Sequence, residues 1–186
     1  MKEARKCIIL NGPPGCGKDT LAKLLYPHGY VQCENKESMH DIALAMSGID
    51  RKRWFRRYNN REKKELPWDE LNGMSCREFL IYISEVCVKT AFGNAQFGKL
   101  ATRAALSKNS NVVFSDGGFQ EEMAMLQEGF GVENVILVQL FRTGHSFDGD
   151  SRNYLKPAGS HCLPLNLVAG RPELAVDAIL SFIGEY

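Results

Sequence analysis

An apolar run, Cys7-Ile8-Ile9-Leu10, leads through Asn11 into Gly12-Pro13-Pro14-Gly15-Cys16-Gly17-Lys18-Asp19-Thr20, and a segment of helical periodicity continues to Tyr26 before Pro27 ends it. No other stretch of the chain constrains the fold as tightly. A buried strand, a glycine-rich turn and a helix, in that order, open an α/β unit with the turn at the carboxyl end of the strand. Gly12, Gly15 and Gly17 can take backbone angles closed to other residues, so several N–H groups can converge on one anion. The helix starting near Gly17 aims the positive end of its dipole at the same place. Lys18 is then placed to reach the β- and γ-phosphates of a nucleoside triphosphate, and residues 12–20 as a whole become candidate ligands of ATP. The spacing G-x-x-x-x-G-K is complete. Asp19 stands where Ser or Thr is usual, with Thr20 one step later. The plainer reading, a glycine-rich connector, has to contend with a strand on one side and a helix on the other.

Periodicity along the rest of the chain gives strands over 6–11, 30–33, 111–115 and 134–141, with an edge strand over 161–165. Helices are expected over 17–26, 36–47, 76–91, 95–107, 120–129 and 172–186. Ser75, with Glu78 three residues on, caps the helix from 76. Gly48 and Gly129 read as helix stops. Strands rich in Val and Ile that alternate with helices predict a three-layer αβα sandwich around a mostly parallel sheet. A chain of 186 residues suits one domain. Residues 50–74, broken by Pro67, read as a partly helical basic flap on it, and residues 142–157 as a lid-like polar loop. Right-handed crossovers put the loops that follow parallel strands on one edge. The phosphate loop, Asp116 and Arg142 each follow a strand, so the three are expected to meet.

Asp116 closes Val112-Val113-Phe114-Ser115, the way a second carboxylate is presented near magnesium in phosphate-loop enzymes; the alternative is a turn aspartate before Gly117-Gly118. Asp19 could bind the ion directly, bind it through water, or act as a base. Arg142 and Arg152 are candidates to stabilise a moving phosphoryl group, because fixed positive charge is what that reaction gains from most; surface salt bridging is the other role open to each. Arg77 is a third candidate. Between positions 50 and 65 lie Arg51, Lys52, Arg53, Arg56, Arg57, Arg61, Lys63 and Lys64, interleaved with Trp54, Phe55 and Tyr58. That stretch is either a solvated charged face or a surface where cation forks beside stacking rings meet a base and its phosphate. The histidines (His28, His40, His145, His161) make no metal pair at helical or strand spacing, and His145 reads as a solvent-exposed loop residue. The six cysteines lack C-x-x-C or zinc spacing and are expected as reduced thiols, with Cys16 a filler in the loop.

Composition removes other classes. The formal net charge of +1 excludes a globally basic nucleic-acid coat. No apolar run approaches the roughly 20 residues a membrane helix needs, and the N-terminus runs into the first strand without room for a signal sequence, which predicts a cytoplasmic location.

The segment 12–22 resembles the phosphate loop of adenylate-kinase-like nucleoside monophosphate kinases, and Gly17-Lys18-Asp19-Thr20 is similar to the variant in phage-type deoxynucleoside monophosphate kinases. Lys64-Glu65 with Trp68, the Met74-Ser75-Cys76-Arg77-Glu78-Phe79 helix start, Val113 to Asp116 with Glu121 or Glu122 beyond, and the strand ending in Arg142 follow in the same order. The resemblance implies a P-loop kinase fold with ATP and Mg2+ as cofactors. It places Lys18 and Thr20 on the donor, Asp19 and Asp116 near metal or acceptor, Arg142 and Arg152 around the transferred group, and Arg77 with part of the basic cluster, Arg53 and Arg57 included, on the acceptor phosphate. One departure stands out: the arginine expected two positions after the strand acid is Gly118, which leaves space for something bulkier.

Three readings follow. The first is Mg2+- and ATP-dependent phosphorylation of a (deoxy)nucleoside monophosphate. The second keeps the donor site and makes the acceptor a hydroxymethylated pyrimidine within DNA, as in a 5-hydroxymethyluracil DNA kinase, with the basic segment 51–64 touching the polymer. The third is a non-catalytic nucleotide-binding module. A switch GTPase is excluded by the lack of N-K-x-D.

Overall fold

The computed structural model describes residues 4–150 and 152–184. The first three positions, part of the reading on signal sequences, Ser151 of the lid-like loop and the last two positions of the final expected helix lie outside the described residues. The chain divides into two compact units, Met1–Asn35 with Gly98–Tyr186, and Lys36–Phe97. Its strands are β1 (Cys7–Asn11), β2 (Tyr30–Cys33), β3 (Asn111–Phe114), β4 (Val135–Phe141) and β5 (His161–Asn166). Its α-helices are α1 (Lys18–Leu25), α2 (Glu37–Ser47), α3 (Arg51–Tyr58), α4 (Cys76–Ile81), α5 (Lys89–Phe92), α6 (Gln96–Ser107), α7 (Gln120–Phe130) and α8 (Pro172–Gly184).

In the first unit the five strands form one sheet in the order β2-β3-β1-β4-β5, every pairing parallel. Strand alternation sorts the apolar side chains between two faces. Ile8 and Leu10 of β1, with Ile136, Val138 and Leu140 of β4, face Leu21, Ala22 and Leu25 of α1 and Ala175, Val176 and Ile179 of α8. Cys7 and Ile9, with Val112 and Phe114 of β3, face Ala101 and Ala105 of α6 and Met123, Leu126 and Phe130 of α7. Each fully buried Leu, Ile or Phe contributes about 1.5–3 kcal/mol by leaving water. The sandwich is thus three layers, as expected. β5, at the sheet edge, tolerates Pro164 because an edge strand has a free side.

Two expectations are corrected. Gly129 does not end α7, which runs one residue further and is capped by Gly131 at φ 87°. Gly129 lies against α6 instead, where an added β-carbon would overlap Thr102 Cγ2 and come 3.4 Å from Leu106 Cδ1. Its role is close helix approach. The helix expected over 76–91 does begin in a Ser75–Glu78 capping box, but its middle, Tyr82–Val88, is π-helical.

The second unit has its own core, which includes Ala43, Trp54, Trp68, Leu71, Phe79, Leu80 and Ile83. Residues 50–74 are therefore part of a larger compact body. Asp50 caps α3 by accepting from the Arg53 amide at 3.0 Å. Trp54 is fully buried and donates from Nε1 to His40 Nδ1 at 3.1 Å. His40 is packed edge-on against the rings of Phe55 and Tyr58, with centroids 5.0 and 4.5 Å away. Burial lowers its pKa from 6.5 to about 4, and the charges of Lys36, Arg51 and Lys64 push the same way. The Trp54 ring, read as a surface for stacking a base, is core.

Candidate active site

Because all five strands run parallel, the carboxyl ends of β1, β3 and β4 share one edge, with Ile9 paired to Phe114 and Asn11 to Gln139. The phosphate loop, Ser115-Asp116 and Arg142 leave from those ends. The expected meeting of three sequence-distant sites takes place.

Gly15 (φ 73°) and Gly17 (φ 119°) occupy the left-handed region that favours glycine. Gly12 is needed for a different reason. A β-carbon there would stand 2.9 Å from both Cys16 Sγ and the Leu140 carbonyl oxygen, so the loop leaves β1 hard against β4. Cys16 is buried and fills that contact. Gly17 caps α1 without any side-chain hydrogen bond, which leaves first-turn amides to an external anion. Lys18 Nζ donates to the carbonyls of Gly12 and Pro13 at 2.6 and 2.8 Å. Burial lowers its pKa, with Cys16 pulling the other way and Arg152 adding to the fall. Arg142 Nη1 donates to the Cys16 carbonyl at 3.2 Å. His145 is half-buried, not simply out in solvent: its ring edge lies 3.7 Å from where a Gly15 β-carbon would be.

The two acids are oriented by neutral donors. Ser115 Oγ donates to Asp19 Oδ1 at 2.7 Å and accepts from Gln32 Nε2 at 3.0 Å, joining α1, β2 and the end of β3. Asp116 Oδ1 accepts from the Asn35 backbone amide at 3.0 Å. No group of three or more His, Cys, Asp or Glu among the described residues is arranged to hold a metal ion. Asp19 and Asp116 supply hard oxygens beside the phosphate loop. That set fits a magnesium ion which takes the rest of its octahedron from phosphate and water, the usual habit of Mg2+.

Arg152 completes the cluster. Its Nε and Nη2 donate to Asp150 Oδ1 and Oδ2 at 2.8 and 2.7 Å. That pairing raises its pKa, and the charges of Asp116 and Glu122 add to the rise. The space expected at Gly118 is not empty: an added β-carbon would meet the Arg152 stem, 2.8 Å from Cγ. Lys18, Asp19, Asp116, Arg142 and Arg152 are thus assembled at one edge of the first unit.

Sequence reading missed Ser115, Gln32 and Asn35, and also Asn11. Fully buried, Asn11 donates from Nδ2 to the carbonyls of Gly117 (3.3 Å) and Asn153 (3.2 Å) and accepts from the Leu155 amide (2.9 Å). A polar residue closing an otherwise apolar strand is the signal that could have found it. With Leu155 also in the core, the lid-like loop expected over 142–157 is anchored at its rear. A cavity of about 210 Å³ lies beside α1, lined by Gly17, Thr20, Leu21, Arg142, Leu167 and Pro172 among others.

Arg53, Arg57 and Arg77 belong to the second unit and have local partners. Arg53 pairs with Glu70 and Arg77 with Glu65 (3.6 Å). Arg57 donates to the carbonyls of Leu66 and Pro67 at 3.1 and 2.7 Å.

No protein-family model and no curated protein matches the sequence. Solved structures do. A protein described as a putative kinase, from Chloroflexus aurantiacus, is similar with a TM-score of 0.54 at 12% identity, over 100% of this chain and 99% of that one. A sugar kinase from Janibacter sp. gives 0.51 at 15% identity, over 97% and 95%. At those identities the shared property is the fold alone. No helix among the described residues is long and apolar enough to cross a membrane.

Proposed function

We propose that the chain is an ATP- and Mg2+-dependent kinase that phosphorylates a (deoxy)nucleoside monophosphate. The observation that carries this reading is the convergence of Lys18, Arg142 and Arg152 with Asp19 and Asp116 around an uncapped helix start. A module that only holds a nucleotide has no need of two oriented acids and three cations. The cavity beside Thr20 and Leu167 suits the donor's nucleoside, since it adjoins the loop and is walled by apolar residues.

Lys18 draws negative charge off the donor phosphates, and the first-turn amides of α1 grip the same group. Arg142 and Arg152 stabilise the charge spread over the equatorial oxygens of the moving phosphoryl group. Asp19 and Asp116 would hold the magnesium ion, which neutralises and orients the donor polyphosphate when bound.

The test is an acceptor screen with γ-labelled ATP, covering the deoxynucleoside monophosphates and both unmodified and hydroxymethylated DNA. Label is expected in a nucleoside diphosphate. Label in hydroxymethylated DNA alone would move the acceptor to the polymer, and transfer to nothing would overturn the reading. Lys18→Ala is expected to lower transfer by at least 100-fold with unfolding unchanged within about 1 kcal/mol.

A further inference from the structure

The second unit carries a cation cluster that the phosphoryl-transfer reading leaves unused. A cavity of about 290 Å³ opens between α3 and the turn that follows, lined by Arg53, Arg56, Arg57, Asn60 and Lys63 with Trp68 at its floor. The Arg53 and Arg57 guanidinium carbons lie over the Trp68 ring, 5.6 and 4.8 Å from its centroid. Both guanidinium groups are thereby held against one aromatic ring in the pocket lining. Of these pocket cations, Arg53 alone has a carboxylate partner among the described residues, Glu70. The side chains of Arg56 and Lys63 are exposed and make no hydrogen bond or ion pair among the described residues. A second depression, lined by Asp50, Arg51, Lys52, Phe55 and Asn59, shares Arg56 with the first, so further cations follow along α3 beside one carboxylate.

We infer that this surface binds the phosphodiester backbone of a polynucleotide. Four cations around one pocket, offset by one carboxylate, ask for an anion. Arginine forks match the paired oxygens of a phosphate. An eight-residue helix is about 12 Å long, so a track running its length outreaches a single phosphate group and favours a ligand with several in a row. The local excess is large: residues 50–65 hold eight cations and three carboxylates in a chain whose net charge is +1. The inference stands apart from the donor site and from any phosphoryl transfer.

The experiment is fluorescence anisotropy of the full chain with a labelled 20-nucleotide single strand and with the matching duplex, from 50 to 200 mM salt. The variant is R56Q/K63Q, whose side chains make no hydrogen bond or ion pair among the described residues. Wild type is expected to bind with an affinity that falls steeply with salt. Two lost phosphate contacts should flatten the slope of log K against log salt by about 1.4 on the single strand or about 1.8 on the duplex, and weaken binding at least tenfold at 50 mM. The tighter of the two probes names the form of strand. No binding by the wild type, or an unchanged slope in a variant that unfolds like the wild type, overturns the inference, and neither result touches the acceptor screen.

Discussion

The stem of Arg152 lies across Gly118, Cγ 2.8 Å from the position of an added β-carbon, while Asp150 grips the guanidinium from the other side. A cation therefore reaches the acid edge of the sheet from the loop after β4, although the position two after Asp116 carries no side chain. Gly118→Ala is expected to displace that stem and lower kcat/KM about tenfold, or about 1.4 kcal/mol. Arg152→Ala is expected to cost more, about 100-fold. The double variant should be no worse than Arg152→Ala alone, and a double-mutant cycle on kcat/KM measures this. Additive losses would show that the glycine and the arginine act separately.

Ser115→Ala removes the donor that orients Asp19 and strands the Gln32 amide, at a cost of about 1–2 kcal/mol in stability. If Asp19 serves the magnesium ion, half-saturation should need several-fold more Mg2+ while KM for ATP at saturating metal stays within about twofold. A titration of rate against Mg2+ reads this directly.

Gly129→Ala puts a methyl group into Thr102, so the expected loss is about 1–3 kcal/mol by overpacking. Thr102→Ala removes the offending Cγ2 and should recover most of the loss. Urea unfolding of the single and double variants gives both values.

His40 makes the stability of the protein depend on pH. Its folded-state pKa of about 4 lies below the ordinary 6.5, so the unfolded chain takes up the proton first as pH falls. The contribution is fully present above about pH 6.5 and fades as pH drops toward 4. At pH 4.5 the difference reaches about 2.5 kcal/mol. Urea unfolding followed by tryptophan fluorescence at pH 7 and 4.5 should show it, and His40→Phe should flatten the dependence.

The layers of the fold were legible because their causes are local. Ile8 and Leu10 against Cys7 and Ile9 already display the two faces of β1, and the glycines at 12, 15 and 17 mark where the backbone must curl. Asp116 and Arg142 could be placed because a parallel sheet brings strand ends together. What was hidden depends on contacts far apart in the chain. Nothing near Gly118 announces a side chain from position 152, and nothing near Gly129 announces Thr102. Trp54 misled for a related reason: among eight cations it reads as surface, and partners distant in the chain, His40, Trp68 and Phe79, draw it inside.

Asn11 stitches the end of the first strand to Gly117 and to both Asn153 and Leu155. The loop after β4 is thus a hoop nailed down at its heel and open to re-cutting at its crown, around Gly144 and Gly149, where an added β-carbon would meet nothing within 4 Å. Extra residues spliced in there would lengthen the loop while leaving the Asn11 bonds and the Arg152–Asp150 pair in place, which makes the crown the natural place to graft a new specificity onto this scaffold.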